Sequence, residues 1–464
     1  MTLIKSISGI RGTIGGKPGD GLSPMDIVKF ASAYGTWIIA NNPSETSTIV
    51  IGRDARLSGE MVNNIVCGTL VGLGINVVDL GLSTTPTVEV AVTEIAADGG
   101  IILTASHNPK QWNALKLLNN KGEFISDSEG KFILELADKE DFIYCDVNAL
   151  GTYRKREDLL QLHIDKVLNL PYVDVAAIKA ANFSVAVDAV NSSGGIVIPM
   201  LLKQLGVTNI NKIHCEPTGH FAHNPEPLPE HLRDLAEAVL KTKSHVGISV
   251  DPDVDRLALV CEDGEMFGEE YTLVTVADCV LSYHKGGNTV SNLSSTRALR
   301  DVTEKMGGSY SASAVGEVNV VNMMKSTNAI IGGEGNGGVI LPELHYGRDA
   351  LVGVAIFLTH LAKSGKTASQ LRKSYPNYYI SKNKIELTPE IDVDKVLLNI
   401  EAKYAKQPVN TIDGVKIEFD KEWVHLRKSN TEPIIRIYSE SQSISTADTL
   451  AKKIIDDIKE IIKN

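Results

Sequence analysis

Short apolar runs alternate with stretches of helical spacing between residues 48 and 334, and the same order of elements occurs three times. Apolar runs bounded by polar turns predict buried strands, and apolar positions three or four residues apart predict helices. The predicted segments are 48–56, 61–70, 74–79 and 101–106 in the first unit, 183–188, 196–205, 209–213, 232–240 and 246–251 in the second, and 288–293, 298–306, 310–314, 318–324 and 328–334 in the third.

Strands that alternate with helices predict parallel sheets with right-handed crossovers, so each unit is expected to be an α/β domain. Ligands in such sheets bind beyond the carboxyl ends of the strands. Ser106, Asp251 and Glu334 each lie at the end of the last apolar run of a unit. We therefore expect all three at ligand-binding edges. A short hairpin should follow each of these turns, and the Asp263-Gly264 pair marks one of them.

The pattern changes near residue 375, where the regular alternation of strands and helices stops. The segments predicted beyond this point are a helix at 395–405, strands at 415–419, 422–427 and 434–438, and an amphipathic helix at 446–462. This order predicts a separate α+β domain. The predicted domain ranges are 1–150, 151–262, 263–374 and 375–464.

The composition of the chain argues against several classes of function. The chain has 464 residues, is 43% hydrophobic and carries a formal net charge of −11 without a basic block, which argues against a nucleic-acid partner. The five cysteines lack metal-ligand spacing and fit a reduced, cytoplasmic setting. No apolar stretch is long enough to span a bilayer, and the N-terminus does not have the pattern of a signal peptide. We expect a cytoplasmic protein with no membrane partner.

The turn Asp251-Pro-Asp-Val-Asp-Arg256 places three carboxylates at alternate positions. Three oxygen anions suit a hard cation such as Mg²⁺, and without a cation they would repel one another. An EF-hand loop is excluded, because Arg256 stands at the position that needs glycine and apolar strands flank the turn. The alternative without a metal is a solvated acidic turn.

The segment Thr104-Ala-Ser-His-Asn-Pro109 closes an apolar run and presents Ser106 on a polar turn. A turn-forming hydroxyl is the ordinary interpretation of such a serine. The chain has no Gly-x-Ser-x-Gly elbow, which argues against an α/β-hydrolase. His107 is poorly placed as a base for its own neighbour and is expected to orient the loop. A phosphorylated Ser106 beside a metal ion would make phosphoryl transfer possible.

Two further turns suit a sugar phosphate. Glu334-Gly-Asn-Gly-Gly338 does not follow a nucleotide-binding pattern, but its glycines permit close approach and Glu334 can accept bonds from sugar hydroxyls. In the segment 427–436, two arginines bracket Ser429, Asn430 and Thr431, a donor set that suits a phosphate dianion. A flexible turn and a hairpin with surface arginines are the respective alternatives.

Taken in chain order, these loops resemble those of the α-D-phosphohexomutase family, over essentially the whole chain. The phosphoserine, metal, sugar and phosphate loops of the family resemble 104–109, 251–256, 333–338 and 427–436, and Ser-Gly-Ile-Arg-Gly at 8–12 matches its N-terminal motif. The resemblance implies an α/β fold with three similar domains, whose sheets are mixed and mainly parallel, and a C-terminal α+β domain, arranged around a central cleft.

The resemblance also implies an isomerase that moves a phosphoryl group between the 1- and 6-positions of a hexose phosphate, a small-molecule partner. Phospho-Ser106 would be the donor, a hexose 1,6-bisphosphate the intermediate and activator, and Mg²⁺ the metal. The implied metal ligands are Ser106, Asp251, Asp253 and Asp255, and the implied catalytic group is Ser106, Arg11, Lys116 and His107. The implied substrate-binding residues are Arg256, Glu334, Asn336, Arg427, Ser429, Asn430, Thr431 and Arg436.

One loop departs from the family pattern. The sugar loop of the family usually reads Gly-Glu-x-Ser-Gly-His. In this chain Asn336 replaces the serine and Gly338 replaces the histidine. A role of that histidine in proton transfer does not carry over, so Lys116 becomes the stronger candidate. The opening segment looks most similar to phosphoglucosamine mutases, which makes glucosamine 6-phosphate the first expected substrate. The alternative is a phosphomannomutase/phosphoglucomutase.

Two other classes remain as alternatives. A Mg²⁺-dependent sugar phosphatase would use the same metal turn and a phosphorylated residue but would admit water. A non-catalytic sugar-phosphate-binding protein would bind without turnover, and the intact Ser106 and Asp251–Asp255 turn argue against it.

Overall fold

The computed structural model describes residues 2–6, 9–42, 46–388, 391–428 and 434–463 of the chain. The chain forms two compact units. The first contains residues 1–279 and 336–371, and the second contains residues 280–335 and 372–464. No helix among the described residues is long and apolar enough to cross a membrane.

The strands and helices have the following bounds. The strands are β1 (Ile4–Ser6), β2 (Gly9–Thr13), β3 (Thr48–Arg53), β4 (Asn76–Leu82), β5 (Gly99–Leu103), β6 (Trp112–Leu118), β7 (Tyr153–Lys155), β8 (Ser184–Asp188), β9 (Asn209–Ile213), β10 (Val246–Val250), β11 (Leu257–Cys261), β12 (Thr289–Asn292), β13 (Tyr310–Ser313), β14 (Ile331–Glu334), β15 (Gly338–Ile340), β16 (Tyr379–Glu386), β17 (Val409–Asn410), β18 (Val415–Glu418), β19 (Trp423–Lys428) and β20 (Ile434–Ser441). The α-helices are α1 (Pro24–Asn41), α2 (Gly59–Gly72), α3 (Thr85–Glu94), α4 (Asp127–Lys139), α5 (Asp158–Leu168), α6 (Val175–Ala181), α7 (Gly194–Gln204), α8 (Arg233–Thr242), α9 (Glu269–Tyr283), α10 (Ala298–Lys305), α11 (Glu317–Thr327), α12 (Ala350–Ser364), α13 (Ala368–Lys373), α14 (Val393–Lys403) and α15 (Ile444–Lys463).

The first sheet has the strand order β1-β2-β6-β5-β3-β4-β7. Strands β5, β3 and β4 are parallel, and β6 joins β5 as an antiparallel neighbour. Every residue of β5 is buried, because an apolar cluster lies on each face of the sheet. Ile51 and Ile101 belong to one cluster, and Val50 and Ile102 belong to the other. The continuous apolar run that predicted β5 therefore reflects burial on both sides.

The other two α/β sheets repeat the same arrangement. Strand β8 lies between β9 and β10 with all pairs parallel, as β3 lies between β4 and β5. Strand β12 lies between β13 and β14 in the same manner. The predicted threefold repeat is thus present in the topology, although the residues themselves are hardly alike. Strand β11 pairs antiparallel with β10, and its turn at Asp263-Gly264 is closed by the Cys261 N–H bond to the Glu265 carbonyl.

The predicted C-terminal α+β domain is confirmed by a fully antiparallel sheet of order β16-β20-β19-β18-β17. Helices α14 and α15 cover one face, where Ile400, Ile454 and Ile458 are buried against Ile417 and Ile435. The i, i+4 spacing of Ile454 and Ile458 explains why α15 could be predicted. Strand β16 was not predicted, because its residues mix polar and apolar types and only its pairing with β20 makes it a strand.

Candidate active site

Ser106 lies directly beyond β5 in a strained conformation. Its φ angle is +47°, a left-handed value that costs a non-glycine residue energy and is typical of functional turns. The Ser106 N–H donates to Thr104 Oγ1 at 2.9 Å, and Thr104 Oγ1 donates to Asp54 Oδ2 at 2.7 Å. The Ser106 hydroxyl donates to Asp251 Oδ2 at 2.8 Å, across 145 positions of sequence. The two turns singled out in the sequence are therefore in direct contact.

The metal turn follows β10 and is held in shape by its own backbone. The N–H groups of Asp255 and Arg256 both donate to Asp251 Oδ1 at 3.1 Å, and Val254 adopts a φ of +63°. Ligand atoms of Asp251, Asp253 and Asp255 lie within 4.8 Å of one another, and all three side chains are buried. This packing excludes the alternative of a solvated acidic turn.

The three carboxylates have different electrostatic environments. Burial, together with the charges of Asp255 and Asp253, raises the pKa of Asp251 well above its usual value. Burial also acts to raise the pKa of Asp253, but the Lys116 ammonium outweighs it and holds this pKa below the usual range. Lys116 Nζ lies 2.7 Å from Asp253 Oδ2 and 3.7 Å from Asp255 Oδ2. These carboxylates in turn raise the pKa of Lys116 despite its burial.

The donor set fits a hard divalent cation. Oδ1 of Asp253 and Oδ1 of Asp255 are buried and lack a hydrogen-bond partner among the described residues. Buried carboxylate oxygens without donors are costly, and coordination to a cation would compensate them. Carboxylate and phosphate oxygens are the ligands that Mg²⁺ prefers. Asp251, Asp253 and Asp255 could therefore hold Mg²⁺, together with a phosphoryl group on Ser106.

Lys116 and Arg11 lie on the neighbouring strands β6 and β2 of the first sheet, and Lys116 reaches the carboxylates of this site. Lys116 on β6 pairs with Ile102 on β5, and Arg11 on β2 pairs with Ala114 on β6. The Nε of Arg11 is buried without a hydrogen-bond partner in the described part of the chain. A guanidinium donor of this kind suits an anionic ligand. Ser8, the first residue of the N-terminal motif at 8–12, lies outside the described residues.

His107 does not have the properties of a general base. Its Nδ1 is 3.4 Å from Ser106 Oγ, at the outer limit of a hydrogen bond. Burial, followed by the charges of Arg256 and Arg348, lowers the pKa of His107 to about 3. The imidazole is therefore neutral at physiological pH and a weak base. This environment favours the hypothesis that His107 orients the loop.

The structure explains why Gly338 stands in the sugar loop. A Cβ at Gly338 would lie 2.3 Å from Cδ of Arg348, so any other side chain would displace that arginine. Arg348 Nη2 donates to Asp255 Oδ2 at 2.7 Å. Asn336 Oδ1 accepts from the Gly338 N–H at 3.2 Å and shapes the turn. The sequence pattern showed the missing histidine but could not show that an arginine fills its space.

Thr85 is a second residue that the sequence interpretation missed. It begins α3 behind the Thr84 N-cap, and its hydroxyl donates to Asp253 Oδ2 at 2.6 Å. Its N–H also donates to the Asp253 carbonyl at 2.9 Å. The helix-start signal at Ser83-Thr84-Thr85-Pro86 was available in the sequence, but it is a structural signal that does not by itself indicate a site.

Arg256 and Glu334, two of the candidate sugar-binding residues, each contact polar groups of the protein. Arg256 Nη1 lies 3.6 Å from Glu226 Oε1. In the compact unit of residues 280–335 and 372–464, Glu334 Oε1 accepts from Asn292 Nδ2 at 2.9 Å and from the Gly316 N–H at 3.2 Å. Both bonds fix the Glu334 carboxylate at the end of β14.

Arg427 and Arg436 are directly opposite each other on β19 and β20, so they share one face of the C-terminal sheet. Arg427 pairs with Asp413 at 3.0 Å, and Arg436 is exposed. The predicted phosphate-binding residues Ser429, Asn430 and Thr431 lie outside the described residues.

A buried ionic network lies behind the metal turn. Asp349, next to Arg348, begins α12 and accepts from the Leu351 N–H. Its Oδ2 lies 2.9 Å from His163 Nε2 and 3.3 Å from His345 Nε2, while His345 Nδ1 lies 3.1 Å from Glu89 Oε2. These contacts tie α3, α5 and the start of α12 together.

The comparisons with known proteins agree with this fold. The models of phosphoglucomutase/phosphomannomutase domains I, II and III and of the C-terminal domain match residues 3–144, 161–264, 268–379 and 386–457. Proteins of this family are four-domain α/β enzymes that isomerise phosphohexoses. The chain belongs to the phosphoglucomutase/phosphomannomutase family.

Similar proteins within the family have different names. A phosphoglucomutase/phosphomannomutase of Thermococcus kodakarensis is 37% identical over 93% of this chain and 94% of its own. A phosphoglucosamine/phosphogalactosamine mutase of Sulfurisphaera tokodaii is 31% identical over 98% of each chain. The solved structure of a phosphoglucomutase/phosphomannomutase family protein from Burkholderia thailandensis, 25% identical, superposes with a TM-score of 0.86 and covers 100% of this chain and 98% of that one.

The network behind the metal turn predicts a dependence of stability on pH. Burial acts to lower the pKa of His345, but Asp349 and Glu89 outweigh it and raise this pKa to about 10. A raised histidine pKa stabilises the fold below its unfolded value of about 6.5, and this stability is lost as pH rises toward 10. His345→Gln should lower the free energy of unfolding by about 3 kcal/mol at pH 7.

Chemical denaturation of the wild type and of His345→Gln at pH 7, 8.5 and 10 measures this effect. Other groups also titrate in this range, so the decisive quantity is the difference in free energy of unfolding between the two proteins at each pH. The difference should shrink as pH rises, and a difference that stays constant would contradict the assigned ion pairs. His220→Gln, at an exposed position outside this network, is the matched control and should leave the free energy of unfolding within about 0.5 kcal/mol of the wild type.

Proposed function

We propose that this phosphohexomutase interconverts a hexose 6-phosphate and a hexose 1-phosphate through a phosphorylated Ser106 and a 1,6-bisphosphate. The observation that carries the proposal is the contact of the Ser106 hydroxyl with Asp251, one of three clustered carboxylates. A phosphoryl group on this oxygen would face the same carboxylates, which a divalent cation must neutralise. The domain ranges predicted from the sequence would assign one functional loop to each domain.

In the proposed first transfer, the bond between phosphorus and Ser106 Oγ breaks while a bond to the free sugar hydroxyl forms. The hydroxyl proton must leave, and Ser106 Oγ must gain one. Lys116, whose pKa is raised, is an ammonium at rest and is the candidate to donate to Ser106 Oγ and to be recharged by the sugar hydroxyl. Mg²⁺, when bound, would neutralise charge on the phosphoryl oxygens. Arg11 would bind the same oxygens through its buried Nε.

The bisphosphate must then turn over so that its other phosphate can return to Ser106. One distal site has to accept either phosphate, because the sugar binds in both orientations. We assign this site to Arg427 and Arg436, which share one face of the C-terminal sheet, and to Ser429, Asn430 and Thr431 between them. Arg256, Glu334 and Asn336 are assigned to the sugar, and exclusion of water would prevent loss of the phosphoryl group.

Glucosamine 6-phosphate is proposed as the first substrate and mannose or glucose 6-phosphate as the second. The opening segment and the relative named as a phosphoglucosamine/phosphogalactosamine mutase support the first. The more similar relative, named as a phosphoglucomutase/phosphomannomutase, supports the second.

Ser106→Ala removes the proposed phosphoryl carrier. It should lower kcat for the mutase reaction by at least about 10³-fold and should abolish incorporation of phosphate from glucose 1,6-bisphosphate, measured by intact-protein mass. Ser128→Ala on the exposed surface of α4 is the control and should retain both. Full activity of Ser106→Ala would exclude the mechanism, and phosphate release faster than isomer formation in the wild type would favour a phosphatase.

Removal of the metal tests the carboxylate cluster. Dialysis against EDTA should abolish isomerisation, and Mg²⁺ should restore it, because the three buried carboxylates and the phosphoryl group carry more negative charge than Lys116 and Arg348 compensate. Asp255→Asn should weaken activation by Mg²⁺ at least about tenfold, measured as the Mg²⁺ concentration for half-maximal rate. Asp263→Asn in the exposed hairpin turn is the control. Unchanged activity after EDTA treatment would contradict the metal assignment.

A comparison of kcat/KM for the phosphates of glucosamine, mannose, glucose and N-acetylglucosamine tests the substrate. The kcat/KM for glucosamine 6-phosphate should exceed that for the other sugar phosphates at least about tenfold. A site whose polar groups bind one substituent at the 2-position leaves those groups unpaired when another substituent is present. A preference for mannose or glucose phosphate would establish the second candidate. Equal values for all four would reject the glucosamine assignment.

A further inference from the structure

The side chain of Arg56 is a buried cation to which neither the sequence motifs nor the proposed mechanism assigns a role. It follows β3 in the turn that begins with Asp54, and it is only 1% exposed. Burial of a guanidinium is costly unless every donor is satisfied, so the partners of Arg56 show what the fold uses it for.

All five N–H groups of the Arg56 guanidinium have acceptors, and four of these are backbone carbonyls of the Ser106 loop. The acceptors are Asp54 Oδ2 for Nε at 2.9 Å, the carbonyls of Pro109 and Trp112 for Nη1 at 2.8 and 2.9 Å, and the carbonyls of Ser106 and Asn108 for Nη2, the latter at 2.8 Å. One planar side chain thus binds the whole turn between β5 and β6. The ring of Phe221 covers it at 5.1 Å.

The same network reaches Ser106 from its other side. Asp54, which pairs with Arg56, accepts from the Thr104 hydroxyl, and Thr104 accepts from the Ser106 N–H. Both backbone polar groups of Ser106 are therefore bound, the carbonyl by Arg56 and the N–H by Thr104. This arrangement compensates the left-handed φ of +47° at Ser106 and aims its hydroxyl at Asp251.

We propose that Arg56 is a positioning residue for phosphoryl transfer, which holds the Ser106 loop in the conformation that presents Oγ to the metal carboxylates. The inference rests on the proposed role of Ser106. The five donors of Arg56 are all engaged by Asp54 and the turn between β5 and β6, so none is left for the sugar, and its removal should affect the transfer step and not substrate binding. Lysine cannot replace it, because an ammonium has three donors and lacks the planar fork that reaches five acceptors.

The experiment compares Arg56→Lys with Arg53→Lys, a matched control at the end of β3, where Arg53 Nη1 donates a 3.3 Å hydrogen bond to the Asp54 carbonyl. Arg56→Lys should lower kcat at least about 30-fold and leave KM for the sugar phosphate within about threefold. Phosphorylation of Ser106 by glucose 1,6-bisphosphate, followed by intact mass, should slow by the same factor. Guanidinium chloride at millimolar concentration should partly restore the kcat of Arg56→Ala but not that of Ser106→Ala.

Several outcomes would overturn the inference. A wild-type kcat for Arg56→Lys would do so, as would a rise in KM at constant kcat. If Arg56→Lys does not fold, the test uses Thr104→Val. This substitution removes the hydroxyl that accepts from the Ser106 N–H and keeps the shape of the side chain. It should lower kcat at least about tenfold at unchanged KM, and an unchanged kcat would reject the network. Full activity of Ser106→Ala would instead reject the proposed function itself.

Discussion

Three buried carboxylates within 4.8 Å of one another impose the constraint on which the chemistry of the candidate active site depends. Like charges repel strongly away from water, so the fold must bring cations and donors to them. Lys116 approaches from β6, Arg348 from the segment before α12 and Thr85 from the start of α3. Each contact joins a different element to the turn after β10. The need to neutralise Asp251, Asp253 and Asp255 thus explains why these elements converge.

The same constraint connects two features that look unrelated in the sequence. Gly338 leaves room for Arg348, and Arg348 donates to Asp255. An arginine stays charged at any physiological pH, so it can neutralise Asp255 but cannot exchange protons. His107 is held neutral with a lowered pKa and is a weak base. Of the groups gathered here, Lys116 is the one that combines an exchangeable proton with contact to the metal carboxylates. The proposed mechanism assigns proton transfer to it for this reason.

Much of the fold follows from local patterns. The predicted segment 209–213 coincides with β9, and the predicted strands before Ser106 and Asp251 end where β5 and β10 end, to within a few residues. Local pattern succeeds for β5 and β10 because every residue of these two strands is buried. It fails for β16, whose mixed residues become a strand only by pairing with β20, and for β2, whose short segment carries little apolar signal. The residue types of the candidate site were also predictable, because Asp251–Asp255 and Thr104–Pro109 are contiguous motifs.

The partners of these motifs were decided by tertiary structure. Arg56 lies 50 positions before Ser106, and Lys116 lies 137 positions before Asp253, so neither contact follows from local pattern. Strand order places β3, β5 and β6 side by side, and only then do their loops meet. The sequence by itself therefore determined which residues could carry a phosphoryl group and a metal ion. The tertiary structure decided which cations neutralise them and which side chain holds the serine in place, because periodicity reports burial, whereas long-range contacts depend on how sheets assemble.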